Sequence, residues 1–269
     1  MIGEIGRGAA SCIAPPRRRY SRELEGSIYC RGCSLRHDRM ILTPIPKEHL
    51  DSALDHFMAA LVDPYSCEVF RRICATSAER ACGPEAERHR QVALSLAGAL
   101  GMAIHPEGTP CRFNWDGTAL NGATEAYVIL HEIAHFALAP PERRGLIDFG
   151  LGPGPDTTDR EAAEAAAILS PLDAAEEEAA ASLLGIVWEA ELGQPALASF
   201  LDQNWLEGLE RSAASHFISV LGTLRQRRAL SLASRGVSSR VKHPRACRAV
   251  EPKPRAERRI RPEPPADVQ

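Results

Sequence analysis

Two histidines four residues apart, with a glutamate directly after the first, are the residues of this chain best suited to chemistry: His131-Glu132-Ile133-Ala134-His135. On a helix, residues i and i+4 project from one face, so both imidazoles can reach a single metal ion. Glu132 then stands beside that ion, placed to take a proton from a bound water. The flanking runs Tyr127-Val-Ile-Leu130 and Phe136-Ala-Leu138 make the helix mostly apolar, and imidazoles buried in such a helix require partners. A site of this kind needs a third protein ligand, and no third histidine follows at short spacing. A carboxylate is therefore expected. The helix expected over 173–192 opens with Glu176-Glu177-Glu178, and its apolar stripe of Ala180, Leu183, Leu184, Val187 and Trp188 extends back to Glu176 or Glu177. The alanines at 179–181 allow a second helix to approach closely. Acids in a first helical turn are also favoured by the helix dipole alone. Glu161 and Glu164 offer a second set of carboxylates on a separate short helix.

The rest of the chain reads as a frame for two such helices. Alanine-rich runs at 161–167 and 176–184, with aromatics at only 5%, favour a mainly α fold with at most a small sheet over a β-sandwich. Leu50, Leu54, Phe57, Met58 and Leu61 form one apolar helical stripe. Val69, Phe70 and Ile73 mark a second, short helix, and a third follows Gly83-Pro84 and runs towards Met102. The segment 111–115, before Asp116-Gly117, reads as a short strand ending in a turn. A helix over about 124–138 is stopped by Pro140-Pro141, and 150–155 is a Gly/Pro loop. Beyond the long helix at 173–192, the segment from 195 to about 232 supplies two more.

Residues 40–234 are thus expected as one metalloenzyme domain. Residues 1–39 read as a disordered arm or as an extension upstream of the true start, and 235–269 as a disordered basic, Pro-rich tail. A net charge of −3 argues against nucleic acid as the main partner. No apolar run reaches the roughly 18 residues needed to cross a bilayer, and no secretory signal is visible, so no membrane partner and a cytoplasmic location are expected. The eight cysteines are scattered and expected as reduced thiols. Cys30-x-x-Cys33, with His37 and Cys12, lacks the second tight pair of a structural zinc site.

The motif around the histidines extends further. His131-Glu-Ile-Ala-His135, then Arg143-Arg144 eight residues after His135, then Asp148-Phe149-Gly150 thirteen after it, resembles the motif set of the elongation factor P hydroxylases. Leu192-Gly193-Gln194-Pro195 is similar to the Gly-x-Pro that closes the next helix in that family, and counting back from it brings the family's motif glutamate onto Glu178. The resemblance spans roughly 124–196, with Phe136 where the family has Trp. It implies a metal-dependent hydroxylase, an oxidoreductase acting on a modified lysine of a translation factor, with elongation factor P as the implied protein substrate.

Two histidines and a carboxylate serve both hydrolytic zinc and non-haem iron, so one divalent ion, Fe(II) or Zn(II), is expected. A zinc metallopeptidase is the alternative activity, and a non-catalytic binding protein with a vestigial HExxH the third reading. The expected ligands are His131, His135 and a glutamate, with Glu132 as acid/base. Helical phase favours Glu176 or Glu177 as the third ligand, whereas the resemblance favours Glu178. Arg143 and Arg144 either hold an acidic or carbonyl group of a substrate or pair with the acids at 176–178. Asp148 either orients a ligating histidine through its second ring nitrogen or shapes the turn before Gly150. The expected architecture is a zincin-like HExxH helix packed against a Glu-bearing helix.

Overall fold

A computed structural model describes residues 45, 47–206 and 213–230. The expected arm at 1–39, with Cys30-x-x-Cys33, and the expected tail at 235–269 lie outside the described residues. Among the described residues the chain forms eight α-helices and one two-stranded parallel sheet. The helices are α1 (Lys47–Ala60), α2 (Pro64–Cys74), α3 (Gly83–Ala99), α4 (Ala126–Leu138), α5 (Arg160–Ala166), α6 (Pro171–Glu191), α7 (Ala196–Asp202) and α8 (Ala213–Gln226). The strands β1 (Ala103–Ile104) and β2 (Ala119–Leu120) pair Ala103 with Ala119 and Ile104 with Leu120. No helix among the described residues is long and apolar enough to cross a membrane.

The helix boundaries follow local chemistry. Asp63 caps α2 by accepting from Ser66 N at 2.9 Å, and Pro64 occupies the first turn, where its missing N–H costs nothing. Ser170 caps α6 by accepting from Asp173 N at 3.2 Å, again ahead of a proline. At the other end of α6, Gly193 adopts φ 67°, a left-handed conformation that suits glycine just past a helix terminus. Helix α4 ends where Pro140-Pro141 forbids continuation.

Helix α6 is the centre of the molecule, packing against α4, α2, α7 and α8, while α3 covers a second side of α4. Residues 183–189 of α6 are all buried, and Trp188 is wholly enclosed. Away from the histidines, Phe57, Phe70, Phe200 and Phe217 form a ring cluster with centroids 4.6–6.2 Å apart, joining α1, α2, α7 and α8. Such ring pairs add to the burial energy through edge-to-face geometry.

The strand expected at 111–115 is not formed. Trp115 makes only an isolated bridge to Leu120, and the paired strands lie on either side of that segment. The physical reason is competition for its backbone. Arg112 O accepts from Thr158 N and Trp115 O from Asp148 N, both at 3.0 Å, so the 148–158 loop takes two of the segment's carbonyls and leaves Asn114 O, which accepts from Asn121 N at 2.8 Å, to pair beside β2.

The approach of α6 to α4 depends on a small residue. A Cβ at Gly185 would meet His131 Cα and N at 3.4 Å, an ordinary contact that alanine satisfies. A branched side chain would push the helices apart. Gly185→Val is expected to cost about 1–3 kcal/mol in urea unfolding, as overpacked sites do, and Gly185→Ala is expected to be tolerated.

A buried acid at the far end of α6 gives a pH signature. Glu189 is 2% exposed, with Ser199 as a hydrogen-bond partner and Arg80 Nη1 3.8 Å away. Burial pushes its carboxyl up from 4.5 to about 7. The folded state therefore prefers the protonated acid. Its stabilising contribution is complete below about pH 4.5 and is lost as pH rises through about 7. Glu189→Gln is expected to be more stable than the native chain at about pH 8, by about 2–3 kcal/mol, with little difference at low pH; urea melts at both ends of the range check it.

Candidate metal centre

Helix α4 is buried over most of its circumference, from Val128 through His135, and Glu132 and His135 are the polar residues enclosed within it. Opposite lies the start of α6. Glu178, Ala181 and Gly185 fall at i, i+3 and i+7 on α6, one row, and Gly185 of that row touches the backbone of His131. The row brings Glu178 level with the two imidazoles.

Three donor atoms converge there. Nε2 of His131 and Nε2 of His135 lie 3.0 Å apart, and Glu178 Oε2 lies 3.4 Å from the first and 3.5 Å from the second. Among the described residues, His131, His135 and Glu178 form the group able to hold a metal ion. With bonds of about 2.0–2.1 Å, tetrahedral ligand atoms sit roughly 3.3–3.4 Å apart. In a six-coordinate facial set neighbouring ligand atoms sit roughly 3.0 Å apart. The observed triangle accommodates either set without rearrangement. Exposure sets the direction of access: the side chain of His135 is 3% exposed, while His131 and Glu178 keep 24% and 49%. The protein thus closes one side of the triangle and leaves the other open to solvent.

The charges fit a cation at this point. Burial opposes charge on His135, yet Glu178 and Glu177 raise its pKa to about 10. Burial also works against the Glu178 carboxylate, but His135 and His131 hold it well below the usual range. Glu132 is 8% exposed, and burial pushes its carboxyl up against the pull of both imidazoles. Four carboxyl groups, Glu132, Asp148, Glu177 and Glu178, feel one another or these histidines, and Arg143 pairs with one of them, Glu177. A second cation would relieve the excess of negative charge.

Glu177 sits on the opposite side of His135 from the triangle. Its Oε1 lies 3.8 Å from His135 Nδ1, and both atoms are buried without a hydrogen-bond partner. Its Oε2 accepts from Arg143 Nη2, and Arg143 Nη1 donates to Phe149 O at 2.8 Å. Helical phase points to Glu176 or Glu177 as third ligand and the resemblance to Glu178; the structure brings Glu178 to the two imidazoles, leaves Glu176 exposed and turns Glu177 to the back of the ring. Arg143 makes the pairing with the acids that the sequence offered as one of its two roles. Arg144 does not: its guanidinium lies over the Phe136 ring at 4.7 Å, and its Nε donates to Ala139 O at 3.1 Å. Asp148 accepts from Thr157 Oγ1 at 2.8 Å and shapes the turn; the carboxylate facing His135 Nδ1 is that of Glu177. Glu161 and Glu164 lie on α5, outside the triangle.

The turn itself is unusual. Asp148 and Phe149, neither of them glycine, adopt φ 44° and 55°. Such left-handed residues cost about 1–2 kcal/mol each, so other contacts must hold them. Phe149 is wholly buried, stacked on His135 with centroids 5.6 Å apart on one side and on Trp115 at 5.5 Å on the other. Trp115 Nε1 donates to Arg144 O at 2.8 Å and anchors the far side. The roles of Trp115 and of the Phe149 ring were not visible in sequence, since no periodicity links residues 115, 135 and 149. A cluster of paired charges, partly exposed, and a strained aromatic wall thus meet at one imidazole.

No family model matches this chain, and no curated protein or solved structure is significantly similar to it.

Proposed function

We propose that the protein is a metal-dependent enzyme with zincin-like active-site helices, most similar in activity to the elongation factor P hydroxylases. The observation that supports this is spatial. The separate pieces of the resemblance meet at His135: Phe149 of Asp-Phe-Gly stacks on its ring, and Arg143 of Arg-Arg grips the glutamate behind it. Residues matched by coincidence along a chain have no reason to contact one another around the same side chain.

In this reading His131, His135 and Glu178 hold one divalent ion, Fe(II) for a hydroxylase. Iron with open coordination positions would supply the activation of dioxygen. The chain's own residues orient and enclose. His135 is locked by packing, Glu132 handles protons at the buried side, and the open side admits a lysine side chain of a protein substrate. Hydroxylation of a C–H bond places one oxygen atom of dioxygen in the substrate and sends the other to water, with an electron pair from an external reductant.

A second reading, a zinc metallopeptidase, is favoured by one observation: Glu132 is buried and near enough to His131, His135 and Glu178 to feel their charges, in the neighbourhood where a general base for water attack is required. Intact-mass analysis of a lysine-modified translation factor after incubation with the iron-loaded protein, reductant and air distinguishes them. A product heavier by one oxygen atom is the expected result. Cleaved peptide bonds instead, in the zinc-loaded protein, would replace the hydroxylase by the peptidase. Neither product from a metal-loaded protein would leave a non-catalytic binding role.

A further inference from the structure

The atoms behind His135 show which proton arrangement a metal ion would require. In the structure its Nε2 faces His131 Nε2 at 3.0 Å and Glu178 Oε2 at 3.5 Å, the side that a metal ion would occupy. Nδ1, on the far side of the ring, faces Glu177 Oε1. The two stand 3.8 Å apart, each buried and without a hydrogen bond. Buried polar atoms left in this state are costly, and two of them facing each other call for a reason.

We propose that Glu177 is a positioning residue for His135, accepting a hydrogen bond from Nδ1–H when Nε2 is committed to a metal ion. The inference rests on the metal-centre reading above. Coordination uses the lone pair of Nε2, which forces the ring's proton onto Nδ1. An Nδ1–H that donates to Glu177 Oε1 then satisfies both orphaned atoms. The gap has only to close from 3.8 Å to a normal length of about 2.9 Å.

The carboxylate is already aimed. Its other oxygen is held by Arg143, and Arg143 is held by the carbonyl of Phe149, whose ring stacks on the same imidazole at 5.6 Å. The strained turn at Asp148-Phe149 therefore acts on the ion site twice, once through the face of the His135 ring and once through its Nδ1. Occupancy of the site and order of the turn become linked.

The test uses the full chain stripped of metal, labelled with nitrogen-15 at histidine, and titrated with Zn(II) alone. Zinc is an adequate probe because it binds such ligand sets more tightly than iron(II). The expected result is that zinc-bound His135 carries its one proton on Nδ1 and shows a slowly exchanging imidazole N–H resonance. In Glu177→Gln, whose amide N–H can face Nδ1 and so favours the opposite tautomer, that resonance is expected to be lost and zinc affinity to fall about 10–100-fold. Glu176→Gln, one residue away and exposed, is expected to change neither. A zinc-loaded native protein whose His135 Nδ1 carries no proton overturns the inference, even if Glu177→Gln fails to fold. Undiminished zinc affinity in a folded Glu177→Gln protein overturns it as well. A native chain that takes up no zinc removes the metal-centre reading itself, and the inference with it.

Discussion

Arg143→Met is expected to lower stability by about 3–5 kcal/mol, a large share of the roughly 5–15 kcal/mol that a domain possesses. Arg143 and Glu177 have side chains 8% and 10% exposed, and the arginine also satisfies the carbonyl of Phe149. Removing the guanidinium leaves a buried carboxylate without a counter-charge and a buried carbonyl without a donor. Arg143→Lys is expected to lie between, because a single ammonium cannot reproduce the fork that reaches both acceptors. Arg144→Met loses a stacking contact over Phe136 and is expected to cost about 0.5–1 kcal/mol. The double change Arg143→Met with Glu177→Met should be milder than Arg143→Met alone, because the orphaned charge goes with its partner. Urea unfolding of the four variants checks the set. Equal losses at 143 and 144 would contradict the assignment of Arg143 as the anchor.

Glu132→Gln is expected to keep its metal and lose turnover by about 10²–10⁴-fold, the usual contribution of a positioned acid/base. The side chain belongs to α4, is 8% exposed, and adjoins the ligand triangle without being one of its corners. Glutamine preserves the volume and removes only the capacity to take a proton. Metal analysis of the purified variant and turnover on the productive substrate are measured together. Loss of the metal would make Glu132 a ligand or a folding determinant, and unchanged turnover would remove it from the chemistry.

Much of the helical frame was legible because it rests on local rules. The stripes at Leu50–Leu61 and Val69–Ile73, the prolines at 140 and 141 and the pairing of His131 with His135 all follow from one helix at a time. The third corner of the triangle, which the resemblance places on Glu178, does not follow from helical phase. The apolar stripe of α6 points back to Glu176 or Glu177, but α6 is buried on nearly every side from 183 to 189, so a stripe does not define which face meets α4. The row that does is one of small residues, Ala181 and Gly185, and it leads back to Glu178. Close approach rather than hydrophobicity selects the glutamate that meets the two histidines. The strand expected at 111–115 failed for a related reason: two of its backbone carbonyls are held by the 148–158 loop, more than thirty residues away in sequence. Trp115 and Phe149, the wall behind His135, are likewise products of tertiary contact.

The central claim is that His131, His135 and Glu178 hold one divalent ion. Metal content of the full chain after anaerobic purification, beside His131→Ala treated identically, tests it most directly. One iron or zinc ion per chain in the native protein, lost in the variant, is the expected result. No metal in the native protein, even after reconstitution with iron(II) or zinc, or an equal content in the two proteins, would contradict it.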